Sequence, residues 1–234
     1  MGDVYRRDLA NIHHLGFGAH ADACAPGVLA LLEPVLDRRG TVLELGCGSG
    51  ALTRHLRAAG HRVIATDASP AMVELAGDAQ LLVLPEDPLP PADAVVSVGH
   101  VLNYLPDHRA IRRAFAAVAG ALRPGGVLAF DLLDLSYGEA RREAPPYARV
   151  EDDWAMVTRY DLPAPDRFVR RITTFVAAGD GSWRRDDERH DNVLVDTAGV
   201  PAELADHGVR ASVEPGFGGE RLVEGLVAVI GRRI

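Results

Sequence analysis

From Thr41 onward the chain alternates short apolar runs with segments whose apolar residues recur every three or four positions, the pattern of a parallel sheet wrapped by helices. The runs Thr41 to Leu45, Arg62 to Thr66, Gln80 to Leu84, Ala94 to Val98 and Val127 to Asp131 are rich in Val, Ile or Leu and predict buried strands. Ala51 to Ala59, Pro70 to Ala76 and Asp107 to Leu122 predict the intervening helices. Pro70 stands where a first helical turn accepts it, and Gly60 and Pro124-Gly125-Gly126 end two of them. After Asp131 the texture changes. Turns at Pro145-Pro146, Pro163 to Asp166 and Gly179-Asp180-Gly181 separate Trp154 to Tyr160, Phe168 to Ala177 and Ser182 to Asn192, which predict antiparallel hairpins. A helix from Pro201 to His207 and strands at Arg210 to Val213 and Gly225 to Ile230 then resume the α/β texture.

The fold expected is α/β: a Rossmann-like open, mostly parallel sheet of about seven strands flanked by helices, with a small antiparallel β insertion after the fifth strand. Residues 41–135 and 196–234 form the core and 136–195 the insertion. In the amino-terminal segment, 1–40, Tyr5, Leu9, Ile12, Leu15 and Phe17 lie at helical spacing before a second helix from Val28 to Leu36. Such a segment suits a helical lid over the open end of the sheet.

Composition narrows the chemistry. All 25 basic residues are arginine, which excludes Schiff-base catalysis and the lysine-containing phosphate loop. A net charge of −8 argues against nucleic acid, and the pairs Arg112-Arg113, Arg141-Arg142 and Arg170-Arg171 read as solvated faces. No apolar run approaches the roughly 20 residues that span a bilayer, and Met1 to Ala10 resembles neither a signal nor a transit peptide, so a cytoplasmic protein without membrane contact is expected. Cys24 and Cys47 form no CxxC pair, and the histidines show no metal-ligand spacing, so no metal is expected.

The segment Val42-Leu43-Glu44-Leu45-Gly46-Cys47-Gly48-Ser49-Gly50 runs from a buried strand into a glycine turn and a helix, the place where open α/β sheets bind nucleotides. Asp67 ends the next strand, where a carboxylate can accept from two ribose hydroxyls. Gly46, Gly48 and Ala51 satisfy the dinucleotide fingerprint formally, so the turn alone fits both a nicotinamide cofactor and S-adenosylmethionine. Glu44 separates them: its carboxylate would oppose a pyrophosphate but attract an ammonium and a sulfonium.

On these residues the chain resembles a class I S-adenosylmethionine-dependent methyltransferase of the small-molecule type. Glu44 to Gly50 is similar to the first motif, Thr66 to Met72 to the ribose-binding segment, and Leu122 to Gly126 to the turn before the fifth strand. The resemblance implies that Gly46, Gly48, Asp67, Ala68, Met72, Val98 and Gly99 contact the donor and that Glu44 holds its ammonium. It also implies that Glu86 or Asp87 holds the adenine amino group, while Tyr5 and Phe17 close over the donor. Ala92 to Leu105 is similar to the fourth strand and following loop. Tyr104 stands where quinone-pathway relatives often carry a histidine.

Methyl transfer is a displacement on a carbon activated by sulfonium, so the protein chiefly aligns the reactants and excludes water. Where the acceptor is a hydroxyl, a base helps, and the candidates are His100, His14 and His190. Asn103, Tyr104 and Trp154 are candidate acceptor contacts, and the acidic run Glu151-Asp152-Asp153 favours a cationic acceptor. The reading is methyl transfer to a nitrogen or oxygen of a small molecule by a monomer or homodimer. A nicotinamide-dependent oxidoreductase and a donor-binding protein without turnover are the rivals.

Overall fold

A computed structural model describes residues 4–234; Met1 to Asp3 of the amino-terminal reading lie outside them. The chain opens with two helices, α1 (Arg7–Gly16) and α2 (Ala19–Asp37), followed by β1 (Thr41–Leu45), α3 (Ala51–Ala58), β2 (Arg62–Asp67), α4 (Pro70–Ala76), β3 (Gln80–Leu81) and β4 (Ala92–Ser97). A single 3-10 turn, Val101–Tyr104, leads to α5 (His108–Ala121), β5 (Leu122–Leu133) and α6 (Leu135–Glu139). The strands β6 (Tyr147–Val150), β7 (Trp154–Ala164), β8 (Arg167–Ala177) and β9 (Trp183–Val193) come next, before α7 (Val200–Ala205), β10 (Val209–Glu214) and β11 (Leu226–Arg233).

The seven-stranded sheet runs β10-β11-β5-β4-β1-β2-β3. β1 to β5 are parallel, and β11 pairs antiparallel with both β5 and β10. Alternate residues supply the two layers. Leu43, Val95, Leu128 and Phe130 pack with α5, while Val42, Ala94, Val96 and Ala129 pack with α2 and α3. The four strands β6 to β9 form a second, wholly antiparallel sheet. A third cluster, Leu9 and Ile12 of α1 with Trp154, Met156 and Ile172, seats the amino-terminal helix on that sheet.

Several expected boundaries move. The second helix begins at Ala19, not Val28, and passes through Pro26 and Pro34. An interior proline costs about 3 kcal/mol, but Cys24, Val28, Leu32 and Val35 are fully buried on this helix, and each large apolar side chain returns about 1.5–3 kcal/mol. The third strand is only Gln80–Leu81: beyond it Leu82 and Leu84 wall a pocket, and the Val83 amide donates to Asp87 Oδ2 at 2.7 Å. β6 was not expected: of Tyr147, Ala148, Arg149 and Val150, only Arg149 is even partly buried, so no apolar alternation announces it. Among the described residues no single helix is long and apolar enough to cross a membrane.

Asn103 joins the two sheets. Its Nδ2 donates to the carbonyls of Leu133 (3.2 Å) and Val193 (2.6 Å), and its Oδ1 accepts from the Leu133 amide (2.9 Å), all with the residue 0% exposed. Asn103→Ala strands buried backbone groups at the ends of β5 and β9, so urea unfolding is expected to show a loss of about 3 kcal/mol. A loss under about 1 kcal/mol would mean that the clamp is not structural.

Candidate functional site

The site grows from the turn after β1. Gly46, Gly48 and Gly50 adopt φ of +66°, +54° and +83°, which side chains rarely tolerate. At Gly46 a Cβ would also strike Val101 at 2.3 Å, whereas at Gly48 it would meet only open space. Gly48 thus turns a bare backbone toward a cavity. Its amide donates to Asp67 Oδ2 (2.8 Å), and the Ser69 amide donates to Oδ1 (2.8 Å), which fixes the Asp67 carboxylate at the end of β2. Burial raises the Asp67 pKa against these bonds.

Glu44 precedes the turn and is 2% exposed. Thr53 Oγ1 donates to its Oε2 at 2.6 Å, while Oε1 has no hydrogen bond among the described residues. Burial, opposed by the Thr53 bond and by Arg57, pushes Glu44 up to about pKa 7. A buried carboxylate with one unspent oxygen suits a cation.

Two cavities meet at this turn. A narrow slot of about 130 Å³ is walled by Ala68, Met72, Leu82, Leu84, Val101 and Leu105, with Asp67 at its edge. A chamber of about 620 Å³, within the range of small-molecule sites, lies under the β7–β9 sheet and α1 and takes in Glu44. Tyr5, His13, Gly46, Gly48, Val98 and Gly99 border both. The wall between them is held by Asp131 on β5, whose buried carboxylate accepts from the amides of Gly99 (2.9 and 3.0 Å) and His100 (2.6 Å). His20 Nε2 donates to the same carboxylate at 3.0 Å; burial would lower its pKa, but the bonds to Asp131 and Cys24 carry it up to about 10.

The model for a methyltransferase domain matches residues 17–169, well over half of the chain. The chain belongs to the methyltransferase-domain family. A methyltransferase-family protein of Geobacillus sp. (strain WCH70) is 25% identical over 161 residues, 64% of this chain and 65% of that protein, so the match spans just under two thirds of the relative's length. The S-adenosylmethionine-dependent methyltransferase from Clostridium acetobutylicum ATCC 824 superposes with a TM-score of 0.75 at 17% identity, over 96% of this chain and 97% of that one. The sugar N-methyltransferase KedS8 from Streptoalloteichus sp. ATCC 53650 superposes with a TM-score of 0.76 at 22% identity, over 100% and 95%. These likenesses agree with the S-adenosylmethionine fold: the mostly parallel seven-stranded sheet is that of this methyltransferase class.

In this member of the methyltransferase-domain family, Tyr5, Gly46, Gly48, Asp67, Ala68, Met72, Val98 and Gly99 all border the slot, and Glu44 and Phe17 border the chamber. Glu86 and Asp87 do not. Both are exposed, and Asp87 caps its own turn through the Val83 amide, so the residues flanking the slot at this point are the apolar Leu82 and Leu84.

Of the candidate bases, His14 is exposed at the chamber rim, while its neighbour His13 faces the interior, edge-on to Tyr5 and stacked on Phe17. Burial first, then Arg170, lowers His13 to about pKa 4. His100, held at φ +50° on the dividing wall, is kept neutral by burial and by Arg170, which donates to its Nε2 at 3.4 Å. His190 does not face the chamber. It is 0% exposed between Glu188 Oε2 (2.9 Å to Nε2) and the Tyr104 hydroxyl (3.2 Å to Nδ1) and reaches the cavity only through Tyr104. Glu188 accepts in addition from the amides of Tyr5 (2.7 Å) and Arg6 (2.9 Å), which ties the start of α1 to β9.

Three other expectations need correction. Asn103 is spent on backbone and offers nothing to an acceptor; Trp154 packs in the cluster beneath α1 and does not border the chamber. Glu151, Asp152 and Asp153 are exposed at the β6–β7 turn and do not border the chamber; Glu151 pairs with Arg149 at 2.8 Å. Sequence reading also missed Arg141, Arg170 and Tyr137, which border the chamber; Tyr160, an insertion aromatic that the sequence offered for an acceptor pocket, borders it too. Strand alternation was the available signal for Arg170: it faces in, while Arg171 faces out to Asp161 at 2.6 Å.

Glu44 makes a stability prediction without any ligand. Its folded pKa of about 7 lies above the ordinary glutamate value of 4.5, so the native state binds the extra proton and stability falls as pH rises from the unfolded value through 7. Glu44→Gln keeps an acceptor for Thr53 and removes that cost. Its melting temperature is expected to exceed the wild type's above about pH 8, by up to about 3 kcal/mol in stability, with the gap shrinking toward about pH 5. A gap independent of pH would assign the effect to packing instead.

Proposed function

We propose that this methyltransferase carries the methyl group of S-adenosylmethionine to a nitrogen or oxygen of a small molecule held in the 620 Å³ chamber. The observation that carries the reading is the buried Glu44 carboxylate, with Oε1 unspent, at the mouth of a glycine turn whose next strand ends in Asp67. A nicotinamide dinucleotide would set its pyrophosphate against that carboxylate. Glu44 binds the donor ammonium, Asp67 accepts from the ribose hydroxyls, and Leu82, Leu84, Met72 and Leu105 take the adenine faces. When bound, the donor supplies a methyl carbon already activated by its sulfonium.

The residues around the chamber then have a positioning task. Tyr5 and Phe17, carried by the amino-terminal segment, exclude water from the junction of slot and chamber. Asp131 fixes the Gly99-His100 wall along which acceptor and donor meet. Among the described imidazoles there, His13 and His100 are held neutral with depressed basicity, and the raised His20 is committed to Asp131. That distribution suits transfer driven by alignment, to an acceptor atom that sheds its proton readily.

Calorimetric titration with S-adenosylmethionine and, separately, NAD tests the reading. Micromolar binding of the methyl donor alone is expected, weakened at least about tenfold by Glu44→Gln. Because the ammonium requires ionised Glu44, donor affinity should fall up to about tenfold for each pH unit below 7 in the wild type and lose most of that dependence in the variant. NAD binding in place of the donor overturns the proposal. Donor binding with no methyl product from any amine or hydroxyl acceptor points to a binding protein instead.

A further inference from the structure

Two arginines border the chamber with no carboxylate paired to either among the described residues. Arg170 lies on β8 between Tyr160 of β7 and His190 of β9 in the strand register. Its guanidinium sits 5.6 Å from the Tyr104 ring centroid and donates to the Tyr104 hydroxyl and to His100 Nε2, while its Nε is buried without a partner. Its neighbours are neutral phenols and imidazole, and among the described residues no carboxylate pairs with it. Arg141 borders the same chamber, stacked 3.5 Å over the Tyr137 ring, and donates only to the carbonyls of Tyr137 and Glu224.

The contrast with the outer face of the same sheet is sharp. There Arg171 pairs with Asp161 (2.6 Å) and Arg189 with Asp191 (2.6 Å), and on the inner face beyond the chamber Arg184 pairs with Asp8 of α1 (2.7 Å). Acids are abundant in this chain, so an unpaired arginine in the chamber is a property of the site. Among the described residues bordering the chamber Glu44 is the one acid, and it belongs to the donor turn. Enclosing a guanidinium that cannot shed its proton is costly unless an anion completes it, and its planar fork matches two oxygens of a carboxylate or a phosphorus oxyanion.

We propose that the acceptor carries an anionic oxo group, a carboxylate or a phosphate or phosphonate, which Arg170 anchors with Arg141 alongside. The nucleophilic nitrogen or oxygen is then presented at the Gly99-His100 wall. The proposal rests on the chamber being the acceptor site. Arg170 anchors the acceptor and transfers no proton.

The test titrates benzoate, phenylphosphonate and the neutral benzamide into protein saturated with S-adenosylhomocysteine, and into the free protein. At least one anion is expected to bind about tenfold or more tightly than benzamide, and Arg170→Met should abolish that preference while leaving S-adenosylhomocysteine affinity unchanged. Arg170→Lys, which keeps the charge but not the fork, should retain only part of it; this variant and the wild-type contrast serve if the methionine variant does not fold. Tighter benzoate identifies a carboxylate acceptor, and tighter phenylphosphonate a phosphorus oxyanion. Equal binding of benzamide, or no binding of either anion, overturns the proposal. Failure of S-adenosylhomocysteine to bind the wild type would instead strike the donor reading, and the anion contrast in the free protein would still decide this one.

Discussion

The carboxylate of Asp131 is the constraint on which both cavities depend. It accepts from two consecutive amides, Gly99 and His100, and from the imidazole of His20, and its own side chain is wholly enclosed. Gly99 and His100 are thereby held at φ of +109° and +50°, conformations that an ordinary strand exit would not adopt. Their wall separates the slot from the chamber. Because His20 belongs to α2, the same carboxylate couples the amino-terminal helices to the end of β5, so the wall is braced from two elements distant in sequence. A buried carboxylate left with fewer donors would be expensive, which keeps the three contacts interdependent.

Charge is zoned around that wall. The donor side holds Glu44, a carboxylate poised near neutrality by burial, and the chamber holds Arg170 and Arg141 without acids of their own. Between them the imidazoles of His13 and His100 are neutral, since burial and the neighbouring Arg170 both oppose a further positive charge. His20 is the exception because Asp131 balances it. A site so arranged separates a cationic ligand from an anionic one by a neutral partition, and each is drawn to its own end.

Legibility from sequence followed the agreement between burial and chemistry. β1 and α4 were read to the residue, because their apolar runs and flanking Gly46 and Ser69-Pro70 signals coincide with local structure. Asp67 and Glu44 were legible because the glycine turn gives them an address. β9 was legible as a strand, but its inward face was not, because the residues it buries, Glu188, His190 and Asn192, are themselves polar, so alternation in hydrophobicity disappears while alternation in burial persists. Arg170 hid for the same reason. The adenine acid failed differently: Glu86 and Asp87 lie in the right stretch of chain, but after Gln80–Leu81 the backbone leaves the sheet and carries both carboxylates to the surface.

The two additions to the core, the amino-terminal helices and the antiparallel sheet, are fastened to each other as well as to the core. Leu9 and Ile12 pack against Trp154, Met156 and Ile172, and Glu188 takes the amides of Tyr5 and Arg6 at the helix entry. The flanking Arg6–Asp186 and Arg184–Asp8 pairs are solvated and add little. The apolar cluster and the buried Glu188 bonds therefore set how firmly the roof is held. This explains why a tryptophan that sequence reading assigned to ligand contact is spent on packing: with the roof built from two segments 140 residues apart in sequence at Trp154 and α1, a large apolar side chain is needed to weld them. The polar residues of the same sheet face, Arg170 above all, are left to meet the ligand.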